Sequence, residues 1–65
     1  MCQHAAAQEY IYEALENGPL SIPKLLDILE TKYHLDRDFA AAALLDAPED
    51  VVVVRFVDNE VRLAR

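Results

Sequence analysis

Arg37, Arg55, Arg62 and Arg65 are the residues best equipped for chemistry in this sequence, because a guanidinium fork can grip a phosphate or carboxylate through two hydrogen bonds. Lys24 and Lys32 are the other cations. Candidates for acid–base work are weaker. Glu9, Glu13 and Glu16 follow one another along a helical stretch, which ordinarily makes a solvated face and not a facing pair of catalytic carboxylates. Cys2, His4 and His34 are the soft metal ligands, and Cys2-x-His4 lacks the paired spacing of a zinc site. Gly18 is the one glycine, too few for a phosphate-cradling loop, and no nucleophile motif stands out. Sixty-five residues also leave little room for a walled substrate pocket. The expectation is a protein that binds another macromolecule, without enzymatic activity, cofactor or metal.

The charge balance narrows the partner. Net charge is −6, and it is uneven: residues 1–50 set Lys24, Lys32 and Arg37 against ten acids. Residues 51–65 set Arg55, Arg62 and Arg65 against Asp58 and Glu60. A nucleic-acid binder needs cations to displace the counterions of the phosphates, and this chain repels phosphate over most of its surface. The same acidity also serves as plain solubility charge. Apolar residues make up 54% of the chain, with one glycine and three prolines, which is a globular profile and not a disordered one. A single domain of this size buries a thin core, and surplus apolar surface on it usually faces something. One cysteine excludes an internal disulfide. No segment approaches the ~18–20 apolar residues of a membrane span, so no membrane contact is expected. The opening MCQHAAAQEY lacks the basic start and apolar run of a signal peptide, and the expected location is intracellular, cytoplasmic or nuclear.

Three helices and a hairpin must position these groups. Residues 3–16 read as a first helix with Ala7, Ile11, Ala14 and Leu15 on its apolar stripe, ended by Asn17-Gly18-Pro19. Leu20 is a short extended link. Ser21 suits the N-cap of a second helix with Pro23 in its first turn, and Ile22, Leu25, Leu26, Leu29 and Tyr33 form its apolar face. His34-Leu35 is a tight turn. Asp36 caps a third helix that runs to about Ala47, with Asp38 placed well for the helix dipole. The run VVVVRFV, residues 51–57, then Asp58-Asn59 and a return strand read as a hairpin with a two-residue turn. That register pairs Phe56 with Val61, Val54 with Leu63 and Arg55 with Arg62, and puts Val52, Val54, Phe56, Val61 and Leu63 on one face.

Two constellations stand out once the elements are placed. The stretch FAAAALL, residues 39–45, gives the third helix no polar stripe along its middle. At 100° per residue Phe39, Ala42 and Ala43 lie roughly opposite Ala41, Leu44 and Leu45. One side packs on the first two helices. The other is either wedged against the hairpin or forms a flat surface for another helix, with Phe39 or a leucine as its anchor. The second constellation is Arg55 opposite Arg62, a repulsive pair that either splays into water or takes an acidic group between its members.

The order helix, extended link, helix, tight turn, helix and hairpin resembles a winged helix-turn-helix. ALENGPLSIPKLLDIL, residues 14–29, is similar to that superfamily's junction between first and second helices, and LLDAPEDVVVVRFVDNEVRL looks like its passage from recognition helix into wing. The resemblance implies an α+β fold, mostly helical, with three helices and a C-terminal β-hairpin wing, filled by residues 1–65 as one domain. It also implies that the third helix and the wing are the contact surfaces. In DNA-reading members that helix presents Arg, Lys, Asn or Gln to base edges. Here it offers Arg37 between Asp36 and Asp38, and the wing tip Asp58-Asn59-Glu60 is acidic. The leading expectation is therefore a protein-interaction module, a regulatory subunit or adaptor that binds another protein or itself as a homodimer, through Phe39, Ala42, Ala43, Arg55 and Arg62. The alternative is a nucleic-acid-binding regulator whose dimer concentrates Arg37, Arg55, Arg62 and Arg65. A weaker alternative is an acidic nucleic-acid mimic that occupies a basic partner.

Overall fold

The structure, a computed structural model, describes residues 5–64. Its elements in chain order are α1 (Ala5–Leu15), β1 (Leu20–Ser21), α2 (Ile22–Thr31), α3 (Arg37–Leu45), β2 (Val52–Arg55) and β3 (Glu60–Leu63). Three helices and a three-stranded antiparallel sheet make a mixed α+β fold with a C-terminal hairpin, a topology compatible with a winged helix. Residues 3 and 4 of the expected first helix lie outside the described residues, as do Cys2, His4 and Arg65.

Each helix forms where its apolar period and its cap coincide. α1 buries Ala7, Ile11 and Leu15, one stripe at i, i+4 and i+8. It ends as Gly18 turns the chain at φ +132°, a conformation that side-chain-bearing residues rarely adopt. Ser21 caps α2: its hydroxyl accepts the Lys24 N–H at 3.2 Å, and Pro23 sits in the first turn, where it removes no intrahelical bond. After α2 the chain reverses at His34, φ +59°, while the Leu35 N–H reaches back to the Leu29 carbonyl at 3.0 Å. Asp36 then caps α3 by accepting the N–H groups of Asp38 and Phe39 at 3.1 and 3.3 Å. α3 stops at Leu45, two residues short of the expected end.

The core joins all layers. Ile11, Leu15, Leu25, Leu29, Ala40, Ala43, Leu44, Val52 and Val61 are all buried, with Ala7 at its edge. Ala40 and Ala43 are fully enclosed, and methyl-sized side chains there let α3 approach its neighbours closely. Tyr10 of α1 stacks on Tyr33 beyond α2, with ring centroids 4.5 Å apart, a further tie between the first two helices.

The sheet gives the extended link a strand partner and corrects the hairpin register. Leu20 is more than a link: it pairs with Val61, and Ser21 with Glu60, so β1 becomes the third strand in the order β1-β3-β2. The hairpin register also differs by two residues. Arg55 faces Glu60, Val54 faces Val61, Val53 faces Arg62 and Val52 faces Leu63. The connection is thus the four residues Phe56–Asn59, closed by bonds from Asp58 N–H to the Arg55 carbonyl and from Asn59 N–H to the Phe56 carbonyl. Asn59 takes the left-handed conformation, φ +50°. A shift of two preserves face parity, so Val52, Val54, Val61 and Leu63 still turn inward. It replaces a repulsive Arg55–Arg62 pair by an attractive Arg55–Glu60 one. The change expels Phe56 from the inner face into the loop, where it is 66% exposed.

Candidate interaction surface

The end of α3 and the outer edge of β2 enclose a groove of about 370 Å³ lined by Leu44, Leu45, Ala47, Glu49, Val52, Val53, Val54 and Phe56. Successive strand residues point to opposite faces of a sheet, yet Val52, Val53 and Val54 all line it, so the groove runs along the strand's edge and not over one face. Its rim is apolar. Leu45 is 68% exposed, Phe56 66% and Val57 94%. Three large apolar side chains are thus left in water on a small domain, two of them, Leu45 and Phe56, against the groove.

The fold explains why these residues are left outside. The 100° period carries Ala40, Ala43 and Leu44 fully inward and leaves Phe39 and Ala41 half-buried. The buried stripe takes members from both of the sides anticipated from FAAAALL, so that division was drawn in the wrong place. Ala43 lies in the core and offers no surface to a partner, which removes it from the expected contacts. Phe39 is half-buried and packs against the core, whereas Ala42 is exposed. Leu45, the next residue past the stripe, takes the place expected of Phe39.

The arginines are spoken for. Arg37 donates to Asp27 Oδ1 at 2.8 Å and lies 4.0 Å from Glu30, tying the start of α3 to the wet side of α2. The hydrogen bond to Asp27 raises its pKa above the ordinary arginine value, with the charges of Asp27 and Glu30 acting in the same direction. Arg55 pairs with Asp58 at 3.3 Å, and Arg62 pairs with Glu60. The expected Arg55–Arg62 couple does not exist in this register: each guanidinium already has a carboxylate, and no acidic group need lie between them. Arg65 is outside the described residues.

Phe56 and Val57 are the contact candidates that pattern reading missed. Their signal was present in the charge of the alternative registers, since pairing Arg55 with Glu60 forces both into the loop. Among the described residues no group of three His, Cys, Asp or Glu could hold a metal ion, and no helix is long and apolar enough to cross a membrane. Comparison with protein-family models, with curated proteins and with solved structures returns no match to this chain.

Proposed function

We propose that this chain is a protein-binding module of the winged helix-turn-helix type, which works by contact and not by catalysis. The observation that carries the reading is the groove between α3 and β2, lined mostly by apolar side chains, with the exposed Leu45 and Phe56 on its wall. In a winged helix that reads DNA, this corner of third helix and wing meets the phosphates. Here it carries aliphatic and aromatic side chains, with Asp46, Glu49 and Asp50 beside them. Such a surface gains from burying apolar area against protein and loses from meeting phosphate. Arg37, the cation of the third helix, is held by acids of α2.

Photocrosslinking tests the reading. Leu45 or Val57 is replaced by a benzophenone amino acid, with Glu13, exposed on α1, as the control site. Polypeptide adducts from positions 45 and 57, absent from position 13, are expected. Nucleic-acid adducts from the same two positions, weakening steeply as salt is raised, would overturn it.

A further inference from the structure

We infer that the partner at this groove is a second copy of the same chain: β2 pairs antiparallel with β2 of the other copy about a two-fold axis, joining two three-stranded sheets into one of six. The inference rests on the protein-binding reading above and gives it an occupant.

The backbone sets the phase. Ile22 N–H donates to the Asn59 carbonyl, which places Asn59 and Val61 of the returning strand in bonds toward β1. Ala64 N–H donates to the Val51 carbonyl, which places Glu60, Arg62 and Ala64 in bonds toward β2. By the alternation of an antiparallel ladder, Val53 and Arg55 spend their backbone groups on β3. The N–H and C=O of Val54 and the C=O of Val52 then point away from the sheet, along the groove. The Val52 N–H is occupied by the Pro48 carbonyl at 2.9 Å. An edge so arranged offers a donor and acceptors to one more strand, and residues 51–57 contain no proline and a single charge, Arg55, to deter it.

Charge sets the order of the two copies as antiparallel. The approach to β2 carries Asp46, Glu49 and Asp50, while around the hairpin end Arg55 and Arg62 balance Asp58 and Glu60. Antiparallel pairing sets the acidic end of each copy against the neutral, arginine-bearing end of the other. A parallel arrangement would stack acids on acids. The symmetry also closes the assembly, because the opposite edge, β1, is only Leu20–Ser21 and too short to propagate a sheet. A standard interface needs roughly 800 Å² from each partner, under a fifth of the 4377 Å² that the chain exposes. The edge of β2, the groove and the exposed side chains of Leu45 and Phe56 adjoin one another and would form its centre.

Sedimentation equilibrium of the whole chain, from micromolar to millimolar concentration, is the test. The expected result is a passage from 7.3 kDa to twice that mass, tightening with added salt because two acidic chains are brought together. The chain is short enough for chemical synthesis, and N-methylation of Val54 removes the outward N–H while leaving every side chain in place. With that bond lost from both copies, dimerisation is expected to weaken by about tenfold or more at unchanged circular dichroism. Should the N-methylated chain fail to fold, Leu45→Glu decides alone, since its carboxylate enters the groove from an exposed position. A wild-type monomer up to millimolar concentration overturns the inference, as does undiminished dimerisation of the folded variants. If that monomer still gives polypeptide adducts from positions 45 and 57, the second copy is excluded while the protein-binding reading stands.

Discussion

The two ends of α3 are built to opposite rules, although nine residues separate them at most. At the first end Asp36 satisfies two backbone donors, Arg37 reaches Asp27 and Glu30, and Phe39 packs on the core. At the second end Leu45 stands 68% exposed on the groove that it shares with Phe56. No basic residue lies in the last turn of α3, and Asp46, Glu49 and Asp50 follow it. Acids beside the negative end of the helix dipole are unfavourable, whereas Asp36 and Asp38 at the other end are favourable. One short helix is thus tied into the fold at its start and leaves a large apolar side chain in water at its end. Hydrophobicity alone does not decide which residue is core, since Leu44 and Leu45 are neighbours of identical chemistry and are 4% and 68% exposed.

The sharpest break of this comparison is Leu44→Ala. Leu44 closes the core between α3 and the sheet, and deleting its buried methyl groups should cost about 2–5 kcal/mol. For a 65-residue chain that is a large part of the whole stability. Urea denaturation followed by circular dichroism should show a chain largely unfolded, or with its midpoint greatly lowered. A variant as stable as the wild type would mean that the core does not extend to the end of α3.

Asp36→Ala probes the first end and should do less. It leaves the N–H groups of Asp38 and Phe39 without their acceptor, and loss of an N-cap typically costs about 1 kcal/mol. The same denaturation experiment should give a modest fall in midpoint at unchanged slope. Recovery by Asp36→Ser, which restores an acceptor oxygen, would assign the loss to the cap.

How much of this arrangement was legible in the sequence depends on whether polar residues were present to phase it. In α1 and α2 the charged residues mark the wet side, and Ile11, Leu15, Leu25 and Leu29 could be placed in the core from spacing alone. Ser21, Asp36 and Gly18 announce the helix ends through chemistry specific to those positions. FAAAALL carries no such mark. Any rotation of α3 satisfies the pattern, and only packing against α1, α2 and the sheet selects Ala40, Ala43 and Leu44. The hairpin failed for a related reason: Asp58-Asn59 fits a two-residue turn, and registers differing by two bury the same face. What separates them is cross-strand charge, Arg55 with Glu60 against Arg55 with Arg62, together with the bond from Ile22 N–H to the Asn59 carbonyl that a third strand supplies. The exposure of Leu45, Phe56 and Val57 was hidden because these are the residues that the two ambiguities displaced.

The smallest expected effect carries the most information about the second end. Leu45→Gln changes a residue already two-thirds in water, and leucine and glutamine have nearly equal helix propensities. Little burial is lost, so the monomer's stability should move by no more than about 0.5 kcal/mol in either direction. In a domain of this size that is a shift of roughly 2–4 °C in Tm. Phe56→Ser, in the loop, should behave alike. Their signature lies elsewhere. A chain that assembles through the groove has a Tm that rises with protein concentration, because association stabilises only the folded form. The wild type should show that rise, and Leu45→Gln should flatten it while matching the wild type at high dilution. Thermal scans over a wide concentration range measure both quantities at once. If Leu45→Gln instead unfolds as Leu44→Ala does, the end of α3 is core like its beginning, and the contrast between the two ends collapses.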